Sequence, residues 1–518
     1  MRSTVLASFA VLVLALCALV GAQAPDTAVK VRFRLLDAET GKALPGIVRV
    51  LDAASGKPQP LPGLLDRLQG VAKKGEASGW YVVGADGATA GLPRGRYRVG
   101  ALSGLETALA TADLDLGARE AEVTLKLPFL FRPEKLGLAA GNTHLHLMKL
   151  SRAEADDYLR QIPRADGLRL LFVSYLERHK DDETYITNRY QDADLKKFDG
   201  AGILFGNGQE HRHNFEAYGQ GYGHVMFLNL KQLVKPVSLG PGITGMGFDD
   251  RPLQPGIEEA RGQGSTIVWC HNTNGHEATA HALAGRLDAL NVFDGSRTGT
   301  FEERYYRLLN VGPRLPISTG TDWFIYDFSR VYAKAATPLS VPGWLAAVKA
   351  GRCLATNGPL LNLTVDGQEI GSVLNLEKPR AVQVTATGIG RKNFQELQLV
   401  HNGKVVKTQP AAARDGGYTA MLTHEVRIDE PGWLAVRIDT ANRNEFELPL
   451  FAHTSPIYVD LAGQRTFQAE AARLLLKSLE EARGDIRAKG KFSAPEAERK
   501  VLRLYEQAAE ELTKRGGP

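Results

Sequence analysis

The sequence predicts a multidomain protein that is α/β in its middle, all-β on either side, and closed by a pair of helices. Three observations lead there. At 518 residues the chain exceeds what a single hydrophobic core organises. Residues 27–130 and 359–460 alternate apolar and polar positions between turn signals, whereas in 134–358 short apolar runs alternate with helix-like segments. Residues 464–518 are rich in Ala, Leu, Glu, Lys and Arg, with apolar positions at helical spacing.

Residues 1–24 hold Arg2, an apolar run over 5–20 and the small residues Gly21, Ala22 and Ala24. This is the layout of a secretory signal peptide, with cleavage after Ala22 or Ala24. Export to the periplasm or the medium is expected, with no stable membrane span after processing. A retained anchor is the competing reading, but the run is short for a span and no second one follows. Leu16 precedes Cys17 where a lipoprotein site wants a small residue. Cys270 and Cys353 are the remaining cysteines, so stability is expected from cores and metal, with one bridge between the two left open.

In 27–130 the runs at 29–35, 47–51, 79–83, 95–99 and 120–125 read as strands of a small β-sandwich. In the middle region, strands are expected at 168–174, 203–205, 225–228, 265–269, 287–292 and 315–319. Helical segments fall between or after them, at 152–161, 256–262, 277–285, 301–310 and 343–350. Repeated βα units imply a parallel sheet or barrel, whose strand C-termini carry chemistry. Strands return at 361–365, 381–386, 396–400 and 433–438, separated by the turns Asp366-Gly367, Asn402-Gly403 and Asp415-Gly416-Gly417, which suits a second sandwich. In the tail, Ser493-Ala494-Pro495-Glu496 marks a helix start and divides the segment into a helical hairpin.

A net charge of +5 without any basic run gives no reason to propose nucleic acid as a partner. A small-molecule or glycan-like substrate is expected instead. The chemistry-bearing residues fall at strand boundaries of the middle region: His144 and His146, one residue apart and on one face if they end a strand; Glu210; His224; His271; and Asp322 in Gly320-Thr321-Asp322. Mixed imidazole and carboxylate donors suit zinc, manganese or iron better than calcium or magnesium. Such an ion activates water without any serine or cysteine nucleophile. His271 and Asp322 are the candidates for a catalytic role beside metal binding.

Other clusters carry less. His276 and His281 stand five apart, about 140° around a helix, and cannot chelate one ion as a zincin pair does. His211-Arg212-His213 is a second H-x-H beside Glu210 that could be a substrate or extra metal contact, with a polar loop the better reading. Lys149, Arg152, Arg178 and Lys180 are either anion contacts or a solvated face. Tyr175, Tyr222 and Tyr326 are either substrate contacts or core.

The ordered set of H-x-H, a Glu after a strand, a His opening the next strand, a strand-terminal His and a Gly-Thr-Asp turn resembles the PHP (polymerase and histidinol phosphatase) metallohydrolase superfamily. The run 344–361, WLAAVKAGRCLATNGPLL, and the flanking sandwiches look like its carbaryl-hydrolase-like (CehA/McbA) branch. The first β region resembles carboxypeptidase-regulatory-like sandwiches. The resemblance implies a PHP-like distorted (β/α)7 barrel between two β-sandwiches, and metal-dependent hydrolysis of an ester, carbamate or phosphoester. It implies that His144, His146, Glu210 and Asp322 hold metal, with His224 and His271 at a second ion.

Two positions depart from the pattern. Ser174-Tyr175-Leu176-Glu177-Arg178-His179 replaces the Thr-Asp-His expected after the second strand, and Trp323-Phe324 follows the aspartate where a histidine is usual. One or two ions are therefore expected, with Glu177 or His179 as substitute ligands or as charges on a loop. The rival reading is a non-catalytic module that binds glycan or envelope material on a degenerate barrel.

Overall fold

The computed structural model describes residues 28–71, 78–179, 184–216, 221–272, 275–294 and 300–516. The expected leader at 1–24 lies outside them, and no helix among the described residues is long and apolar enough to cross a membrane. The fold is mixed α/β, with many strands in large sheets and comparatively few helices.

The first β region has strands β1 (Val29–Asp37), β2 (Gly46–Asp52), β3 (Tyr81–Val83), β4 (Ala88–Leu92), β5 (Gly95–Leu102), β6 (Ala110–Leu116) and β7 (Ala121–Leu127). They form a three-stranded sheet in the order β4-β1-β7 and a four-stranded sheet in the order β3-β2-β5-β6. Strict alternation along β1 turns Val31, Phe33 and Leu35 inward against Val48, Val50, Val99 and Leu125. Each such side chain contributes roughly 1.5–3 kcal/mol on burial. Arg67, in the connection between β2 and β3, is fully buried and grips Asp166 through Nε at 2.8 Å and through Nη2, with further bonds to the carbonyls of Ile325 and Asp327.

The central strands are β8 (Leu138–His146), β9 (Leu170–Tyr175), β10 (Leu204–His213), β11 (Gly223–Leu228), β12 (Ser238–Leu239), β13 (Thr266–Trp269), β14 (Ala289–Asn291), β15 (Ile317–Ser318), β16 (Asp322–Trp323), β17 (Arg330–Lys334) and β18 (Cys353–Thr356). β8 pairs parallel with β9, and β9 with β10. β11 then runs antiparallel to both β10 and β13, after which β13, β14 and β15 are parallel. β16 pairs parallel with β8. The sheet is thus mixed where repeated βα units led us to expect parallel strands throughout. The reversal has a functional effect: a histidine that opens β11 lies at the same sheet end as residues that close β8, β10 and β13.

Helices Arg152–Ala165, Gln254–Gly262, Ala278–Leu283 and Val341–Lys349 stand close to the expected helical segments. The first begins with a reciprocal cap, in which Ser151 Oγ accepts from the Glu154 amide and the Glu154 carboxylate accepts from the Ser151 amide. Beyond β18 a five-stranded sheet is built on strands Leu360–Val365, Arg380–Gly390 and Gly417–Ile428. The strands Gly432–Arg443, Pro449–Thr454 and Ile457–Leu461 join the central sheet, because Pro449–Thr454 pairs with β18 through Leu354 and Thr454. Sheet continuity therefore crosses the expected boundary near residue 358. The tail forms two helices, Ala469–Lys489 and Pro495–Arg515, which pack Leu475, Leu479, Ile486, Leu502 and Tyr505 into a core shared with Trp269, Ala278 and Leu283. Cys270 and Cys353 are both free and buried, so the bridge left open by the sequence does not form.

Candidate metal centre

Period-two geometry at the end of β8 places His144 and His146 on one face, with their Nε2 atoms 3.0 Å apart. The Gly320-Thr321-Asp322 turn is pressed against this strand. A Cβ at Gly320 would sit 2.4 Å from the Cβ of His144, so glycine is required there. The turn is tied down by the Thr321 amide on the His144 carbonyl at 3.0 Å and by the Asn142 amide group on Thr321 Oγ1 at 2.8 Å. Asp322 itself has φ 56°, and His271 has φ 57°. Left-handed backbone at non-glycine residues is strained and is held by its surroundings, a pattern that gathers at functional sites.

Glu210, fully buried in β10, joins two sets of side chains. Its Oε2 lies 3.1 Å from His146 Nε2 and 3.8 Å from His144 Nε2. Its Oε1 lies 3.1 Å from His224 Nδ1 and 3.5 Å from His271 Nε2. Asp322 repeats the pattern, with Oδ1 3.3 Å from His144 Nε2 and Oδ2 4.0 Å from His271 Nε2. Potential donors thus fall into two groups sharing Glu210: His144, His146, Glu210 and Asp322, and Glu210, His224 and His271. His144, His146 and Glu210 have no exposed side-chain surface, whereas His224, His271 and Asp322 keep 14, 13 and 8% and form the open edge.

Outer partners aim the rings. His146 Nδ1 donates to the Ser174 carbonyl at 3.0 Å, and His224 Nε2 to Asn214 Oδ1 at 3.0 Å. Asp294 takes Nδ1 of His144 on one oxygen at 2.7 Å and Nδ1 of His271 on the other at 2.8 Å. With those nitrogens carrying the protons, the inward ring nitrogens would present lone pairs to a bound cation. Among the described residues Glu210 Oε1, Asp322 Oδ1 and His224 Nδ1 have no hydrogen-bond partner. Buried lone pairs and carboxylates facing one another are costly unless a cation lies between them, so the donor set fits a divalent metal. The buried cluster could hold such an ion, and its mixed nitrogen and oxygen donors leave the metal's identity open.

The electrostatics agree. Burial alone would lower the His144 imidazole, yet Asp322 and Asp294 carry it well above its ordinary value; Asp294 does the same for His271. Burial would raise Glu210, but Arg212 and the neighbouring His144, His146 and His224 rings hold it well below the carboxylate range. His224 is pushed down to about 3 by burial and Arg212, which keeps it neutral and able to bind metal. Cys270 lies beside His144 and Asp294, but burial pushes its thiol up to about 11, and a protonated thiol is a poor ligand.

Six of the expected ligands therefore converge, and two do not. β9 ends at Tyr175, and the buried Leu176 is pinned by its amide on Asn188 Oδ1 at 2.9 Å, which turns the chain away. Glu177 then faces Lys235 at 3.0 Å while its carbonyl accepts from Ser238. His179 is exposed, with its ring against Gly245. Neither joins the cluster, so the expectation that one of them substitutes for a missing ligand is corrected. Beside His146 there are instead stacked aromatic rings, Trp323 on Tyr185 at 5.6 Å.

His211 and His213, expected in a loop, lie in β10 and are buried: His211 bonds the Val237 carbonyl, and His213 bonds Asp249 at 2.9 Å. The same Asp249 accepts from the Lys491 amide, clipping the helical hairpin to this strand. His281 is tied to Glu277 within its helix at 2.8 Å. Tyr222 is core, stacked on His213, and Lys180 lies outside the described residues.

Sequence reasoning missed Asp294, Asn214 and Arg212. Asp294 follows β14 by three residues, the same strand-end placement that flagged His271, so position alone could have found it. Replacing Asp294 by Asn leaves one oxygen for two ring N–H groups. Metal affinity is expected to fall 10–100-fold, read by competition with a chromogenic chelator, and unchanged affinity would remove Asp294 from the centre.

Comparison of the chain with known protein families, with curated proteins and with solved structures finds no match.

Proposed function

We propose that this protein is an exported metal-dependent hydrolase that uses one or two divalent transition-metal ions on an ester, carbamate or phosphoester bond. The observation that carries the reading is Glu210, whose two oxygens face separate histidine sets and so suit it to bridge two ions. A divalent ion here would supply Lewis acidity and an activated water. His144, His146, Glu210 and Asp322 would hold one ion, and Glu210, His224 and His271 the other. His271, fixed at Nδ1 by Asp294, presents only Nε2 inward and serves as a ligand. Asp322 lies at the open edge with Oδ2 turned away from the H-x-H pair, where it can take a proton from an attacking water and pass it to the leaving group.

This reading goes with a PHP-like core of the carbaryl-hydrolase-like (CehA/McbA) kind. The run of pairings from β8 through β15 and the contact of β16 with β8 support a distorted (β/α)7 barrel between two sandwiches. Export rests on residues 1–24 alone.

The test is metal analysis of the purified protein together with turnover of chromogenic carboxylic and phosphoric esters after loading with zinc, manganese or iron. One to two ions per chain and metal-dependent turnover, both lost on chelation, are expected. Absence of bound metal and of turnover under all three loadings would refute the proposal.

A further inference from the structure

Arg212 stands where a cation is least expected. Period two puts it on the same face of β10 as Glu210, and the β10/β11 register sets it directly across from His224. Its Nη1 lies 3.5 Å from Glu210 Oε2, and its side chain is only 9% exposed. Its Nε is buried and, among the described residues, has no hydrogen-bond partner. A guanidinium keeps its charge at any working pH, so it cannot escape repulsion from neighbouring divalent ions by losing a proton. Among the described residues no other Lys or Arg forms an ion pair with Glu210 or Asp322.

The balance of charge makes the position informative. Three buried carboxylates, Glu210, Asp322 and Asp294, offset three of the four positive charges that two divalent ions bring, and Arg212 adds a fifth. Such a site is left with an excess of positive charge at the one edge that is open, formed by His224, His271 and Asp322. A neutral substrate gives no reason to bury this arginine there. An anionic oxygen offers its N–H groups an acceptor and relieves the repulsion at once.

We propose that Arg212 is a substrate-binding residue that selects molecules carrying a fixed negative charge at or next to the scissile group, such as a phosphoryl oxygen or an adjacent carboxylate. The assignment rests on the metal-centre reading above. It makes the guanidinium a partner for the substrate's charge, with Glu210 as the group that orients it.

The test compares wild-type protein, Arg212→Gln and Arg212→Lys, each loaded with zinc and checked for metal content and for fold by circular dichroism. Calorimetric titration uses two probes, inorganic phosphate and acetate, which separate phosphoryl from carboxylate recognition. Wild type is expected to bind at least one of them, with affinity at least 10-fold weaker in Arg212→Gln, intermediate in Arg212→Lys, and metal content retained in all three. The ratio of kcat/KM for p-nitrophenyl phosphate to that for p-nitrophenyl acetate is expected to fall about 100-fold in Arg212→Gln. Anion binding absent in wild type, anion binding equal in wild type and Arg212→Gln, or loss of metal from Arg212→Gln would each overturn the assignment. Anion binding that depends on Arg212 in a protein that turns over no ester would keep Arg212 as an anion site while refuting the hydrolase.

Discussion

With two ions bridged as proposed, Glu210→Gln is expected to reduce bound metal to at most one ion and to lower turnover by about 10³-fold or more, on the order of 4 kcal/mol of transition-state stabilisation. The substitution keeps shape and burial but exchanges one oxygen for an NH2 group, which has no lone pair for a cation. Whichever way the amide turns, one of the two histidine sets loses its shared oxygen. Plasma emission spectrometry counts the ions, and kcat on the preferred ester reads the activity. Two ions retained at wild-type affinity would mean that Glu210 is not the bridge. Asp294 also reaches both sets, but only through the outer Nδ1 atoms, so among the described residues Glu210 is the fully buried carboxylate that faces the inward nitrogens of both, and few substitutions elsewhere should cost as much.

The second large effect is structural and lies outside the set of candidate ligands. Arg67→Met is expected to destabilise the protein by about 3–5 kcal/mol, seen as a lower urea midpoint. Arg67 and Asp166 are both fully buried, and burial pushes the Asp166 carboxyl up against the pull of Arg67. Removing the guanidinium leaves that carboxylate without its partner in a dry interface, and strands the carbonyls of Ile325 and Asp327 as well. Arg67→Met with Asp166→Leu should recover much of the loss, since a buried pair replaced whole costs far less than one broken. A single variant as stable as the parent would show that the pair is not structural. The contact also links the first sandwich to the segment just after Asp322, so its loss should slacken the Gly320–Asp322 turn.

Much of the metal centre was legible because its residues sit where strands end. His144, His146, Glu210, His224, His271 and Asp322 could be ordered along the chain and assigned to one site before any coordinates. What was hidden depended on direction and reach. Nothing between residues 206 and 222 signals that β10 continues to His213 and that β11 returns antiparallel, because Gly206, Gly208 and the polar run from Gln209 read as loop. In the fold those polar groups are satisfied from neighbouring segments, Gln209 by Val234 and His211 by Val237. Arg212 was therefore read as part of a polar loop. Glu177 and His179 were candidates, as ligands or as loop charges, because they stand beside a missing motif, yet the Asn188 side chain holds both the amide and the carbonyl of Leu176, and the chain turns away from the cluster. The β-rich regions and the paired tail helices followed from periodicity, and the extra strands β4 and β6 escaped it because alanine and glycine blur their alternation.

The pairing of β16 with β8 fixes when the centre can come into being. The Asn142 to Thr321 bond at that seam joins residues 179 positions apart, and every ligand of the set lies between or beside its ends. Closing so long a loop carries an entropic cost that shorter contacts do not, so this seam should form late in folding. A chain crossing a membrane unfolded cannot carry the assembled centre with it. If the chain is exported unfolded, as residues 1–24 lead us to propose, any ion would be acquired in the compartment where the chain folds, and metal supply there would decide which ion fills the site.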